Sequence, residues 1–157
     1  MLDMKTAPLG SDALADYLIY ESRERGEILT QLKLQKLMYY ADAWHLALFN
    51  SEIISEKFQA WIHGPVALSQ WHRFKEFKWR PLTVEIKRPS FSTKLHKHLD
   101  EIIDVFGCET AVSLELMTHQ EEPWIEARGS IPPDEPCNNF ISKTTTMSFY
   151  KRLGQIA

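Results

Sequence analysis

The sequence predicts a mainly α-helical protein that folds as a single domain. The chain has 157 residues, which is the usual length of one domain. Apolar residues recur at helical spacing in several segments that start at a capping residue. One segment, residues 30–49, is apolar on almost every side, as is typical of a helix in the middle of a protein. We therefore expect about six helices around this central buried helix, with a small element of two or three strands.

The first two helices are predicted from their starts and their apolar spacing. Ser11 is suited to cap a helix over residues 11–25, and Gly26 is suited to end it. Thr30 is suited to cap the central helix. Apolar residues in that helix are spaced by three and four, and they are Leu34, Leu37, Ala41, Trp44 and Leu48.

Short β-prone runs replace the helical pattern after residue 50. Ile53-Ile54 and residues 58–62 predict a small hairpin or two edge strands. Residues 63–66 (His-Gly-Pro-Val) predict a turn that leads into a helix, because proline suits the first helical position. Apolar and polar residues alternate over 82–86, which predicts a third short strand.

The rest of the chain, from residue 92, predicts further helices and one loop. A helix is expected from Ser92 or Thr93 to Gly107, and others from Thr110 to about His119, from Pro123 to Arg128 and over residues 142–153. The Pro-rich segment 129–139 is predicted to be a loop. Residues 1–157 then form one domain.

The composition excludes several classes of protein. Hydrophobic residues make up 44% and charged residues 25%, which argues against a disordered chain. No run of 18 apolar residues predicts a transmembrane helix, and the N-terminus lacks the features of a signal peptide. We expect a cytoplasmic protein without membrane contact. Its two cysteines, Cys108 and Cys137, are then expected to be reduced thiols.

Charge is distributed unevenly along the chain, although the net charge is only −3. Residues 71–98 contain eight Lys or Arg against two Glu, whereas residues 99–137 contain ten acidic residues against one Arg. Two interpretations stay open: neighbouring helices neutralise each other, or the protein has one face for an acidic partner and one for a basic partner. The candidate basic patch consists of Arg73, Lys75, Lys78, Arg80, Lys87 and Arg88.

No constellation of residues predicts catalysis, a metal or a cofactor. His96 and His98 are two apart, so on a helix they point about 200° away from each other. Paired-cysteine zinc spacing, a nucleophile elbow and a phosphate-binding glycine loop are all absent from the sequence. We therefore expect no enzyme, no metal and no cofactor. An enzyme of unrecognised type that uses His45, His119 and an acidic neighbour is kept as an alternative.

Polar residues on the central helix are harder to explain. One interpretation is that Lys33 and Lys36 extend to solvent and that Asp42 and His45 form a surface pair. The other is that this side of the helix forms a groove for a partner. Residue types alone favour the first interpretation, since buried polar groups usually have a structural partner. The candidate partner-binding residues are Lys33, Lys36, Tyr40, Asp42, His45, Trp61, His63, Gly64 and Pro65.

Three motifs occur in order along the chain. Residues 34–47 read LQKLMYYADAWHLA, Ala60-Trp61 is followed by HGPV at 63–66, and TH at 118–119 is followed by PW at 123–124. These residues resemble the "KLQKLLYYA…WHLA", "AW.xGPV" and "TH…PW" motifs of the Panacea domain, which is found in SocA-like antitoxins and GepA-like phage-associated proteins. The position before Gly64 is often Tyr in that family and is His63 here.

The resemblance implies a prophage-associated antitoxin that binds a toxin encoded nearby and blocks it by direct protein–protein contact. It does not identify the toxin, because the family is thought to neutralise many unrelated ones. An alternative is a nucleic-acid-binding prophage regulator that uses the basic segment 73–97, and this is less favoured because no helix-turn-helix segment is added to the domain. Formation of a homodimer stays open.

Overall fold

A computed structural model of the chain describes residues 9–156 and has the predicted long helix at its centre. This central helix, α2 (Gln31–Phe49), is preceded by α1 (Ser11–Glu24). Every residue from Lys33 to Ala43 is buried, so the helix has almost no solvent-facing side. The helices after it are α3 (Leu68–Phe74), α4 (Thr93–Phe106), α5 (Ala111–His119), α6 (Glu122–Arg128) and α7 (Lys143–Ile156). The described residues thus form seven α-helices, in keeping with the expectation of about six.

The elements are arranged around α2. Helices α1, α3, α4, α5 and α7 all pack against it, and α6 packs against α5 and α7. Strands β1 (Gln59–Trp61) and β2 (Gly64–Val66) form an antiparallel hairpin that also packs on α2. The prediction of a mainly helical protein with a central buried helix and a small β element is therefore confirmed. No helix within residues 9–156 combines the length and the apolar character that a bilayer crossing needs.

Three of the predicted helix starts are confirmed, at Thr30, Ser92 and Thr110. The hydroxyl oxygens of Thr30, Ser92 and Thr110 each accept a hydrogen bond from the backbone N–H three residues later. The prediction for Ser11 is wrong, because Gly10 is the capping residue and Ser11 already belongs to α1. The Ser11 hydroxyl instead donates to Glu56 at 2.6 Å. The last helix also continues to Ile156 rather than ending near residue 153.

The interpretation of residues 63–66 as a turn into a helix is wrong. These residues close the hairpin and form β2, and the next helix begins at Leu68. Proline is tolerated in this strand because its partner Ala60 donates its own N–H to Asn139, on the other side of β1. The missing N–H of Pro65 therefore leaves no hydrogen bond of the hairpin unmade.

The predicted third strand at residues 82–86 is absent from the described structure. Leu82 is buried and donates its N–H to the Leu29 carbonyl oxygen. The Arg23 guanidinium donates to the carbonyl oxygens of Leu82 and Val84, which a neighbouring strand would otherwise have satisfied. The Arg23 side chain thus supplies the hydrogen-bond donors that a neighbouring β-strand would have supplied. Ile53-Ile54 forms only an isolated bridge, between Ile54 and Leu9.

Candidate partner-binding site

The three sequence motifs meet beside the middle of α2. Lys36 on α2 packs against Gly64 of the hairpin, which in turn lies against Thr118 of α5. A Cβ atom at Gly64 would lie 2.7 Å from Lys36 Cε and 3.0 Å from Thr118 Oγ1. Gly64 also has a φ of +109°, which L side chains rarely adopt. Glycine is therefore required here by both the space and the backbone conformation.

Lys36 is completely buried under this glycine, with 0% of its surface exposed. Its Nζ atom has no hydrogen-bond partner among residues 9–156. Burial lowers the pKa of Lys36 to about 7, and the charge of Glu115 opposes this shift. The expectation that Lys36 extends to solvent is therefore wrong.

The hairpin is also held by the third motif. The indole nitrogen Nε1 of Trp124 donates to the backbone oxygen of Trp61 at 2.8 Å, and the His119 ring stacks on Trp124 with the centroids 4.1 Å apart. Burial lowers the pKa of His119, whose Nε2 has no partner within the described residues. At the hairpin tip, the exposed His63 contacts Glu115 of α5 through Nδ1 at 3.1 Å.

Tyr40 belongs to a second buried cluster, between α2, α6 and α7. The hydroxyls of Tyr40 and Tyr150 both donate to Glu121 Oε1, at 2.7 and 2.6 Å. Burial raises the pKa of Glu121 and of both tyrosines above their ordinary values. The Tyr40 ring stacks on Phe106 at 4.4 Å, so this side chain has no free surface for a partner.

Asp42 is buried and fully paired. Its carboxylate accepts hydrogen bonds from the backbone N–H groups of Ile53 and Ile54, and from Lys143 Nζ at 2.6 Å. The interpretation of Asp42 and His45 as a surface pair is therefore wrong. His45 Nδ1 contacts the Ser51 carbonyl oxygen instead.

Lys33 is buried as well and does not extend freely to solvent. It bonds to Glu27 at 2.8 Å and to the Gly107 carbonyl oxygen at 2.6 Å. The nine candidate partner-binding residues thus differ in exposure. His63 is exposed, Trp61 and His45 are half-buried, and the buried ones are Lys33, Lys36, Tyr40, Asp42, Gly64 and Pro65.

The candidate basic patch is partly neutralised within the fold. Arg73 bonds to Asp16 at 2.6 Å and Arg88 to Glu21 at 3.0 Å, and both acids belong to α1. Arg80 donates to the Glu76 carbonyl oxygen and lies over the Phe77 ring. Neutralisation by a neighbouring helix therefore accounts for two of the arginines. The other members of the patch are exposed and have no ion pair within the described part of the chain: Lys75, Lys78 and Lys87.

Glu115 connects the buried and exposed parts of the site, yet no motif marks it. It lies between the second and third motifs, three residues before Thr118, and faces both Lys36 and His63. Its position could have been inferred from helical spacing, because the turn of α5 that contains Thr118 also contains Glu115. No three His, Cys, Asp or Glu side chains within residues 9–156 are arranged to hold a metal ion, and both cysteines are free thiols.

Comparison with known protein families identifies the domain. The family model described as "Antitoxin SocA-like, Panacea domain" matches residues 34–125, which is more than half of the chain. The match begins on α2 and ends on α6, so it contains all three motifs and every residue that meets at Gly64. No curated protein and no solved structure matches the chain.

Proposed function

This chain belongs to the family of SocA-like antitoxins with a Panacea domain, and we propose that it neutralises a cognate toxin by binding to it directly. The family match over residues 34–125 is the observation that supports this proposal most strongly. The convergence of the three motifs at Gly64 adds to it, because the residues that define the family occupy one location in the fold. Neutralisation of this kind needs contact alone and no catalytic step.

We infer that the buried motif residues position the binding surface and that their neighbours touch the toxin. Gly64 packs the hairpin against Lys36 of α2 and Thr118 of α5, and Trp124 holds it against α6. This contact places the exposed His63 at the hairpin tip beside Glu115. A surface held by buried contacts is already organised before the partner binds, which lowers the entropy cost of association.

Nucleic-acid binding has less support than toxin binding. Two arginines of the basic patch are paired with α1, and Arg80 is partly engaged, which leaves three exposed lysines. A regulator with these contacts would show an affinity that falls steeply with salt, by a slope of about −0.9 per phosphate contacted. An electrophoretic mobility assay over a salt series with operon DNA measures this slope directly.

The test of the proposal is co-expression with each neighbouring reading frame. We expect one neighbour to arrest growth when expressed alone, to lose that effect when this chain is present, and to purify in complex with it. The control is the same plasmid with a stop codon early in this reading frame, which removes the protein but keeps the RNA. The proposal is overturned if no neighbour is toxic, or if the stop-codon plasmid rescues growth equally well.

A further inference from the structure

We propose that the toxin binds to the outer side of α5 and the adjoining end of α4, and that it presents a cationic surface with apolar residues there. This inference rests on the proposed function and adds the location and the chemistry of the partner. We call this surface the α5 face. Its members are Ile28, Val105, Cys108, Glu109, Val112, Glu115 and Leu116.

The centre of the α5 face is apolar and open. Val112 and Leu116 are 63% and 56% exposed, and they are neighbours at i and i+4 on α5. The opposite side of the helix is already packed, with Leu114 and Thr118 buried. A short helix that buries one side and presents two large apolar residues on the other is typical of a surface that a partner covers.

A cleft of about 570 Å³ adjoins the start of α5, and its lining is mixed, with Glu27, Thr30 and Lys33 beside residues of the α5 face. Ile28, Cys108 and Glu109 line this cleft, together with the first residue of α5. Cys108 is exposed and contacts the backbone of Val105, which is itself 60% exposed at the end of α4. Cys108 thus connects the end of α4 to the cleft, and Ala111 connects the cleft to α5.

The charge of this surface selects a cationic partner. Glu109 bonds to Ser113, and Glu115 contacts His63, so neither acid pairs with a lysine or arginine in the described part of the chain. Two cations on neighbouring segments, Arg25 and Lys33, are already bound to acids: Asp100 and Asp104 for the arginine, Glu27 for the lysine. Lys36, which faces Glu115 from the inside of the fold, is buried and has a lowered pKa. An approaching basic surface would meet uncompensated negative charge, which increases association rates and disfavours acidic partners.

A second copy of the chain is a poorer occupant of the same surface. A symmetric contact would bring the α5 face of one chain against that of another, because such interfaces use the same patch twice. The acids Glu109 and Glu115 of both copies would then lie in one interface with no added cation, and like charges gathered in an interface weaken it. Self-association through this face is an outcome that the experiment below detects.

The test uses the toxic neighbour identified by co-expression as the probe. Leu116→Lys adds a cation at the centre of the α5 face, and Leu48→Lys is the matched control. Leu48 is equally exposed, at 57%, and lies about 18 Å along α2 from Lys36. We expect the Kd for the toxin to rise at least 30-fold in Leu116→Lys and less than threefold in Leu48→Lys, with unchanged thermal unfolding of both.

Cys108 supplies a second readout that needs no mutation. It is the exposed thiol, whereas Cys137 is buried, so a maleimide reagent reports on the α5 face. Alkylation of Cys108 should slow at least tenfold in the complex. The inference is overturned, with the proposed function intact, if wild type neutralises the toxin while Leu116→Lys binds like the control and Cys108 stays reactive. It is also overturned if the free chain forms a dimer that Leu116→Lys dissociates. If no neighbour is toxic, both proposals fail.

Discussion

Two ionisable residues on α2, Asp42 and Lys36, are buried to almost the same extent but differ in their hydrogen bonding. Asp42 accepts two backbone hydrogen bonds and one from Lys143, which is the usual condition for a buried charge. Lys36, six residues earlier, has no partner for its Nζ within residues 9–156 and a pKa lowered to about 7. The hydrogen-bonded carboxylate of Asp42 therefore stabilises the fold, whereas burial of the Lys36 amine destabilises it.

The difference also follows the sequence motifs. Asp42 connects α2 to α7, which lies outside the matched region 34–125. Lys36 lies at the point where all three motifs meet, under Gly64. An energetically unfavourable side chain at a motif centre is typical of a functional position rather than of a packing position.

Removing the Asp42 carboxylate should have the largest effect. Asp42→Ala is expected to lower the free energy of unfolding by about 3–5 kcal/mol, because Lys143 and two backbone N–H groups lose their acceptor. Urea denaturation measures the loss. Asp42→Asn should cost less, since an amide oxygen can still accept from the backbone. Equal losses for both variants would mean that the charge of Asp42, rather than its hydrogen bonds to Ile53 and Ile54, stabilises the fold.

Adding one methyl group at Gly64 should have the next largest effect. Gly64→Ala is expected to cost about 2–4 kcal/mol, from the left-handed backbone and from overlap with Lys36. Gly26→Ala is the matched control, because Gly26 has a similar φ of +92° with no atom within 4 Å of the added Cβ. The difference between the two variants measures the close packing on Lys36. It should shrink when Lys36→Ala is added to Gly64→Ala, and an unchanged difference would contradict the assigned contact.

Lys36→Met should stabilise the protein, in contrast to Asp42→Ala. Methionine has a similar length and shape, and it leaves no polar atom without a partner. We expect the free energy of unfolding at pH 7 to increase by about 1–3 kcal/mol, measured by urea denaturation. A loss of stability would show that the amine has a favourable interaction in the folded state. If toxin neutralisation falls while stability rises, Lys36 is retained for function.

The pH dependence of stability gives an independent check on Lys36. Its pKa is about 7 in the folded protein against 10.5 in an unfolded chain, so the unfolded state binds more protons between these values. Stability should therefore increase as the pH rises from 7 toward 9.5, with Glu115 and His119 as the neighbouring titratable groups. Lys36→Met should remove this increase. An identical slope in wild type and variant would assign the pH dependence to other groups.

Removing the exposed ion pair between Arg152 of α7 and Glu122 should have the smallest effect. Arg152 pairs with Glu122 at 3.3 Å, and both side chains are more than half exposed. Arg152→Ala is expected to change the free energy of unfolding by less than about 0.5 kcal/mol, because solvent screens such pairs. Helix α7 is thus held by a largely buried ion pair at Lys143 and by an exposed ion pair at Arg152 that contributes almost nothing to stability. A larger loss measured by urea denaturation would place Arg152 among the anchors of α7.

Local features of the fold could be predicted from the sequence, and long-range pairings could not. Thr30, Ser92 and Thr110 act within three residues of their own position, so helix starts follow directly from residue type. The expected strand at 82–86 is replaced by contacts with Arg23, about 60 residues away, which no periodicity reveals. Pro65 suggested a helix start because proline suits the first position of a helix. Its place in β2 depends instead on a distant contact, in which Ala60 donates its N–H to Asn139.

The sequence motifs predicted which residues belong to the candidate site, but not which of them are exposed to solvent. Sequence similarity selects Lys36, Gly64 and His119 together, and the structure brings them close to each other. Whether each of them faces solvent depends on the packing of α5 and the hairpin, which the motifs do not encode. Helical spacing places Leu114 on the inner side of α5, and by the same spacing it places Val112 and Leu116 outside.

The contact between Asp42 and Lys143 joins a position inside the matched region to one outside it. Loss of either residue leaves the other charge without its partner, which destabilises the fold, so selection acts on the two positions as a pair. Relatives should therefore keep both charges or replace both, and the two positions should covary across the family. A chimera that exchanges α7 between relatives that differ at these two positions should be destabilised unless residue 42 is exchanged with it.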